Sequence, residues 1–220
     1  MGQVTFYKEA FSRTSQLRRD RLIKQAIQEF AKNGFAGTNI NVIAERAEVS
    51  IGAMYSYFSS KEDLFLTVVS TLLDAVSQSL AQIDTNESIE DVLFEVFDII
   101  RLSCIENKEY SQIFQHITAQ SMAPLAERLS SDFEMTIINF LHGIINQAKQ
   151  RGELSLSINT QVLAFTIDNL LLMYQLSFSS AYYQERMRLF LDMDPSKQDD
   201  VHQRIMIKQM VSIICQQHAI

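Results

Sequence analysis

The chain has 220 residues, of which 47% are hydrophobic, whereas only two are proline and six are glycine. So few turn-forming residues favour long helices over a many-turned β fold, and the hydrophobic content is ample for a core. The sequence has no apolar run of 18 residues and no signal-peptide core, which predicts a cytoplasmic protein without a membrane partner. Cys104 and Cys215 lie far apart, as expected of reduced thiols in a cytosolic protein.

The net charge of −7 is unevenly distributed along the chain. Residues 1–66 carry nine basic and seven acidic residues, a net charge of +2, whereas the remainder carries ten basic and nineteen acidic residues, a net charge of −9. A basic head on an acidic body is suited to binding a polyanion such as DNA through the head. We expect such binding to weaken steeply with salt.

The first predicted helix runs from about residue 16 to residue 33. Its apolar residues recur at helical spacing between Leu22 and Ala31. Gly34 follows as a helix-ending residue, and Phe35 is placed for the hydrophobic contact that often accompanies such an ending. About 17 residues precede this helix and form an N-terminal extension.

Residues 38–64 predict two short helices separated by a tight turn, and then the start of a third helix. Asn39 is a good N-cap for the first of these helices, and Ser50 for the second. In the second helix Met54 and Phe58 can both face inward. The serines and acids that follow predict a capping box, with Ser59 at the N-cap and Glu62 three residues later. This order of elements is typical of a helix-turn-helix DNA-binding unit.

The second short helix has the residue types that a DNA-reading helix needs. Small residues near its start would let the backbone approach a major groove, and hydroxyl groups can reach phosphates or base edges. Tyr55 and Tyr57 are predicted on its outer surface, although packing inside a small helical subdomain is the alternative interpretation. The candidate DNA-binding residues are Thr38, Asn39, Asn41, Ser50, Ile51, Gly52, Ala53, Tyr55, Ser56, Tyr57 and Lys61.

This segment resembles the N-terminal signature of the TetR/AcrR family of bacterial transcriptional regulators. The resemblance spans about residues 18–66 and is only architectural beyond them. It implies an all-α fold, with an N-terminal three-helix helix-turn-helix DNA-binding domain at residues 1–66 and a larger C-terminal helical ligand-binding and dimerisation domain at residues 67–220. The matching residues are Phe30-Ala31, Asn33-Gly34-Phe35, Thr38, Ile43-Ala44, Ala47, Val49-Ser50, Gly52, Tyr55, Tyr57-Phe58, Ser60-Lys61-Glu62 and Leu64.

The chain departs from the family pattern at the turn and at the N-terminal extension, residues 1–17. Glu48 stands where the family usually has glycine. If the backbone has a positive φ at this position, the substitution costs about 1 kcal/mol.

Five further helices are predicted at about residues 87–106, 109–121, 124–151, 159–184 and 195–217. The segment from Val162 to Phe178 is apolar on nearly all sides, so it must be buried on all sides. We therefore expect one face to meet the core and the other a second subunit, with the last helix contributing in the same way. A thick monomeric core is the alternative. A homodimer would match a palindromic operator, and family members that resemble this chain dimerise in this manner.

The family resemblance also implies an apolar or amphipathic small-molecule effector. For each apolar candidate residue, ordinary core packing is the alternative and the more common role; for His116 and Asn169, it is a satisfied internal hydrogen bond. No metal or cofactor is expected, and the sequence lacks the motifs of the common catalytic sites, so no enzyme is predicted. The candidate ligand-binding residues are Phe94, Phe97, Phe114, His116, Ile117, Phe133, Phe140, Phe165, Asn169 and Met173.

These observations predict a one-component, ligand-responsive transcriptional regulator, a repressor by family analogy. One alternative is a member of the same family that binds DNA constitutively and acts through a protein partner without an effector. Another is a dimerisation module that does not bind DNA, which predicts no salt-sensitive shift of the promoter region of its own gene.

Overall fold

The computed structural model describes residues 5–117, 123–192 and 200–216, and no side chain is described for residues 123–134 and 216. Over this part of the chain it contains eleven helices and no strand, which confirms the all-α prediction. The helices are α1 (Glu9–Ser12), α2 (Gln16–Gly37), α3 (Ile40–Arg46), α4 (Ile51–Tyr57), α5 (Lys61–Leu80), α6 (Ile89–Glu106), α7 (Lys108–Ile117), α8 (Ala123–Gln150), α9 (Thr160–Leu176), α10 (Ala181–Leu191) and α11 (Asp200–Gln216).

The chain divides into two compact units. The N-terminal unit comprises Met1–Ala75 and Gln112–Phe133, and the C-terminal unit comprises Val76–Ser111 and Glu134–Ile220. The predicted domain division after residue 66 falls within α5, and α7 and α8 each contribute residues to both units.

The core of the N-terminal unit lies among α2, α3, α4 and α5. Phe30 and Phe65 are fully buried, with ring centroids 4.9 Å apart, and Phe35 lies 5.4 Å from Phe65. Gly34 interrupts α2 with a φ of 66°, a left-handed conformation that glycine adopts without a Cβ clash. The predicted end of the regular helix at residue 33 is therefore confirmed.

Side-chain caps fix the two short helices. The Asn39 side chain accepts from the Asn41 amide at 2.9 Å, and the Ser50 hydroxyl accepts from the Ala53 amide at 3.1 Å. Both predicted caps are confirmed, and each satisfies one of the free amides at a helix start.

The capping box predicted at Ser59 and Glu62 is wrong by one residue. The hydroxyl that caps α5 belongs to Ser60, which accepts from the Asp63 amide at 3.1 Å. Two consecutive serines are each followed three residues later by an acid, so both frames satisfy the same sequence pattern.

The core of the C-terminal unit is built around α6, which packs against α9 and α11. Three fully buried residues, Phe97 on α6, Ile167 on α9 and Ile207 on α11, belong to this core. Ser88 caps α6 by accepting from the Asp91 amide at 3.1 Å.

The single helix predicted at 159–184 is wrong, because α9 ends at Leu176 and α10 begins at Ala181 with a bend of 106° between their axes. The Ser177 hydroxyl donates to the carbonyl oxygen of Tyr174 at 2.6 Å. Serine side chains compete in this way with the helix ladder, and further serines follow at 179 and 180. The predicted start of the last helix at Pro195 lies outside the described residues.

Among the described helices, α5 is by itself long and apolar enough to meet the criterion for a membrane span, and α9 and α10 meet it only when counted together. A core helix of a soluble protein meets the same criterion. Leu64, Phe65 and Leu66 of α5 are fully buried in the N-terminal unit, so core packing accounts for the apolar character of this part of α5.

Candidate nucleic-acid interface

Most of the candidate DNA-binding residues share an exposed surface on α3, α4 and their N-caps. Met54 and Phe58 are buried, as predicted, and this inward packing turns the opposite face of α4 outward. Tyr55 lies on this outward face, and its side chain is 56% exposed. We call this group the reading surface; it consists of Asn39, Asn41, Ser50, Ile51, Gly52, Tyr55 and Ser56, all exposed, together with the partly exposed Ala53.

Gly52 has no packing reason to be glycine within the chain. A Cβ at this position would meet nothing closer than the Ser50 hydroxyl at 4.0 Å, an ordinary contact. Its φ is helical, so a positive φ does not require glycine either. The space above Gly52 is open for another molecule to approach the backbone.

Tyr57 is not on the outer surface of α4, so the prediction of its position is wrong. Its side chain is only 7% exposed. The ring lies 5.5 Å from that of Phe11, whose own ring is 5.0 Å from that of Phe58. The residues before α2 supply this cover, and α4 taken alone gives no sign of it.

Thr38 and Lys61 are engaged in contacts inside the N-terminal unit. The buried Thr38 hydroxyl donates to the carbonyl oxygen of Gly34 at 2.7 Å. The Lys61 ammonium donates to the carbonyl oxygens of Thr38 at 3.0 Å and Ala36 at 3.2 Å, and lies 4.9 Å from the centroid of the Phe35 ring. These bonds tie the end of α2 to the start of α5.

Glu48, in the turn between α3 and α4, has a φ of 57°. This is the left-handed conformation on which the predicted cost depended, so the condition for that cost is met. The Glu48 carboxylate forms an ion pair with Arg21 of α2. The turn is closed by the Val49 amide, which donates to the carbonyl oxygen of Ala44 at 2.9 Å.

The candidate ligand-binding residues fall into different environments. Phe114, His116 and Ile117 belong to the N-terminal unit, where the His116 ring lies 3.2 Å from the carbonyl oxygen of Ala31. The others belong to the C-terminal unit, except that Phe133 lies in the N-terminal unit and its side chain is outside the described residues. Within the C-terminal unit Phe97 is buried, Phe94, Phe140 and Asn169 are partly buried, and Phe165 and Met173 are exposed.

Sequence reasoning missed a cluster of charged groups within the C-terminal unit. Arg101 is 3% exposed and donates to Asp98 at 2.7 Å and to Asp200 at 2.6 Å. Asp98 also pairs with Arg204. Burial alone would lower the pKa of Arg101, but its hydrogen bond with Asp98 and the charges of Asp98 and Asp200 raise it. The sequence signal for this pairing is Asp98, which lies three residues before Arg101 on the same helix; Asp200 lies on α11.

Tyr174 lies beside this cluster, and burial raises the pKa of its hydroxyl despite the nearby charge of Arg101. The hydroxyl is buried and has no hydrogen-bond partner among the described residues. Its ring lies 5.6 Å from that of Phe97 and 5.2 Å from that of Phe178. An unpaired buried hydroxyl costs free energy, so Tyr174 is a polar group that a bound molecule could satisfy.

Both cysteines are buried and free. Burial raises the pKa of Cys104 to about 11 and that of Cys215 to about 11. The thiols therefore stay protonated near neutral pH. In the part of the chain that the structure describes, no group of three or more histidines, cysteines or acids is placed to hold a metal ion.

An all-helical unit with two capped short helices, the second of them exposed along one face, defines the class of helix-turn-helix DNA-binding proteins. Residues 22–68 match the family described as bacterial regulatory proteins, tetR family. This segment therefore carries the N-terminal domain of that family, and the curated relatives of the chain are HTH-type transcriptional regulators rather than enzymes.

A curated relative is a regulator of the same kind, and the solved structures share the fold of this chain. The HTH-type transcriptional regulator UidR of Escherichia coli (strain K12) is 28% identical over 149 residues, which cover 66% of this chain and 74% of that protein. The structure of Salmonella enterica GusR is similar with a TM-score of 0.71, 21% identity, and coverage of 93% of this chain and 99% of that one. FadR from Bacillus subtilis in complex with stearoyl-CoA has a TM-score of 0.67, 16% identity, and coverage of 87% and 96%.

Proposed function

We propose that residues 1–66 form the DNA-binding domain and that the reading surface binds an operator. The observation that carries this proposal is the exposure of α4 opposite the buried Met54 and Phe58. Asn41, Ile51, Gly52 and Ala53 approach base edges; Ser50, Tyr55 and Ser56 meet the backbone and neighbouring base edges; and Asn39 meets a phosphate at the start of α3.

Thr38 and Tyr57 directly precede and follow residues of the reading surface in sequence but are buried, and Lys61 begins α5. Their side chains contact other parts of the N-terminal unit, so they act by holding the main chain that meets the phosphates. Tyr57→Ala is consequently expected to lower stability as well as operator affinity, because it removes a buried ring. Tyr57→Phe, which removes only the hydroxyl, separates the two effects.

The proposal is tested with a duplex that the chain selects from random-sequence DNA. We expect Tyr55→Ala to weaken binding of this duplex by about tenfold, a loss of about 1.4 kcal/mol, with an unchanged melting temperature. Tyr182→Ala is the matched control, since Tyr182 is similarly exposed but lies on α10. If Tyr55→Ala binds like the parent chain across a salt titration, α4 is not the reading helix.

We further propose that residues 67–220 form a dimerisation and ligand-binding domain and that the chain binds a palindromic operator as a homodimer. Val162, Phe165 and Met173 form an exposed apolar stripe along α9. Val201 and Ile205 are exposed in the same way on α11, as is Ile213 further along it. Exposed apolar stripes on two helices of one unit favour burial against a second copy.

The proposed effector is an apolar or amphipathic small molecule. Two observations support it: FadR from Bacillus subtilis, which shares this fold, was crystallised with stearoyl-CoA, and the buried hydroxyl of Tyr174 lacks a partner among the described residues. We expect a long-chain acyl-CoA, used as the first probe, to release the chain from its operator. If neither this probe nor any molecule that copurifies with the chain changes operator binding, the constitutive alternative with a protein partner is favoured.

The regulator is proposed to act as a repressor in the cytoplasm. A repressor that blocks its operator lowers transcription from the adjoining promoter, and effector binding restores it. A reporter gene placed behind the selected operator measures this directly. Expression that rises when the chain is supplied would identify an activator instead.

A further inference from the structure

The residues before α2 form a short segment that packs against the C-terminal end of α4. We call residues 5–15 the N-terminal arm. Its helix α1 has only four residues, too few to be stable alone. The order of the arm therefore depends on its contacts with longer elements of the N-terminal unit, and α1 packs against α4.

Lys8 makes the polar part of this contact. Its backbone amide donates to the carbonyl oxygen of Tyr57 at 2.8 Å, and its ammonium donates to the carbonyl oxygen of Tyr55 at 2.9 Å. The last carbonyls of a helix lack partners within the helix, and a cation there also complements the helix dipole. A single residue of the arm thus satisfies two carbonyls of a seven-residue helix.

Phe11 makes the apolar part. Its side chain is 3% exposed, and its ring lies 5.0 Å from that of Phe58 and 5.5 Å from that of Tyr57. Arg19 of α2 also holds the arm, because its guanidinium donates to the carbonyl oxygen of Ser12 at 2.7 Å and to that of Thr14. The arm therefore links α2 to the end of α4.

We propose that the N-terminal arm sets the position of α4, with Lys8 and Phe11 as positioning residues for operator recognition. This inference rests on the proposed function of the reading surface. Lys8 holds the backbone of Tyr55, a central residue of that surface, without being part of it. A loosened α4 keeps its charge and general DNA affinity but loses the fixed geometry that base reading requires.

The test compares Lys8→Met with Lys24→Met, which removes the same charge from an exposed position on α2. Phe11→Ala is compared with Leu17→Ala, which truncates an exposed apolar side chain. Two quantities are measured: the ratio of the affinities for the selected operator and for an unrelated duplex, and amide hydrogen exchange at residues 51–58.

We expect Lys8→Met and Phe11→Ala to lower the affinity ratio by about tenfold and to speed exchange in residues 51–58. Lys8→Arg, which keeps the donor and charge, is expected to restore most of the ratio. Neither control should change the ratio. Because Phe11 is buried, its loss also lowers stability, and Lys8→Met serves as the variant in which the fold is retained.

A different result would overturn the proposal. If Lys8→Met weakens both duplexes equally and lowers the salt slope by about one, Lys8 contacts a phosphate and does not position α4. Unchanged exchange at residues 51–58 would also reject it. If the parent chain prefers no duplex, the operator proposal fails by itself, and the exchange measurement still decides whether the arm holds α4.

Discussion

Gly52 is exposed, and neither its packing nor its backbone conformation within the chain requires a glycine at this position. A methyl group fits there, and alanine loses less conformational entropy on folding than glycine does. We expect Gly52→Ala to raise the free energy of unfolding by about 0.5–1 kcal/mol, measured by denaturant titration. The same variant should bind the selected operator at least about tenfold more weakly, because the methyl group occupies the path of close approach.

Gly143→Ala is the control for this pair of opposite effects. Gly143 lies in α8, and a Cβ there would meet nothing within 4 Å. The control should gain similar stability while operator binding is unchanged. Operator binding by Gly52→Ala at the parental level would remove Gly52 from the reading surface.

At Glu48 the backbone conformation decides whether a substitution by glycine raises or lowers the free energy of unfolding. A non-glycine residue in the left-handed conformation costs about 1–2 kcal/mol, and the exposed pair with Arg21 offsets at most part of this. Glu45 is also an exposed acid but lies within α3. We expect Glu48→Gly to be neutral or stabilising and Glu45→Gly to cost about 1 kcal/mol, measured by thermal unfolding. Equal losses for the two variants would contradict the strain at Glu48.

At the scale of elements, the caps and the breaks of helices differ in how well the sequence predicts them. Asn39 and Ser50 act through amides two or three residues away, so a local pattern suffices. The break after α9 is harder to predict from the sequence. The apolar periodicity continues past Leu176, whereas Ser177 satisfies a carbonyl oxygen at the helix end that the structure shows. The cover over Tyr57 depends on residues more than forty positions away, which no local pattern contains.

The start of α6 offers a test of a cap that the sequence does not predict. The Glu153 carboxylate accepts from the Ile89 amide at 2.6 Å and pairs with Arg151. The hydrogen bond with Arg151 lowers the pKa of Glu153 in spite of partial burial. We expect Glu153→Gln to lower the free energy of unfolding at pH 7 by about 1 kcal/mol.

The pH dependence of this loss follows from the lowered pKa. A carboxyl group with a depressed pKa in the folded state stabilises the fold above its unfolded pKa and loses this effect as the pH falls through its folded pKa. The difference between the parent chain and Glu153→Gln should therefore shrink below about pH 4. Glu87→Gln, at an exposed nearby position, should show no such difference, and a pH-independent gap would contradict the ionic cap.

For the whole molecule, the proposed dimer makes a direct prediction about Phe165, which is 70% exposed on α9. We expect Phe165→Asp to raise the dimer dissociation constant about 100-fold or more, because each subunit would bury an unpaired carboxylate. Sedimentation equilibrium measures this. Leu156→Asp is the control, since Leu156 is 77% exposed in the loop before α9. A parental dissociation constant for Phe165→Asp would place the interface elsewhere.

The sequence predicted the helical class and the helix-turn-helix because both depend on short-range spacing and capping. It did not predict the environments of the candidate ligand residues. Phe97 and Phe165 both read as apolar positions on helices, yet one is fully buried and the other exposed, since the outcome depends on which helices pack against them. Arg101 was missed for the related reason that its partner Asp200 lies on another helix.

The two buried thiols have a practical consequence for spectroscopy. With a pKa of about 11, each thiol is ionised in only about one molecule in ten thousand at pH 7. Maleimide dyes react with the thiolate, so the native chain is a nearly silent background for labelling. A cysteine introduced at an exposed position outside the reading surface, such as Tyr182, would then be the single labelled site. Energy transfer between the two labelled copies of the proposed dimer would then follow release from the proposed operator in real time, without a cysteine-free parent.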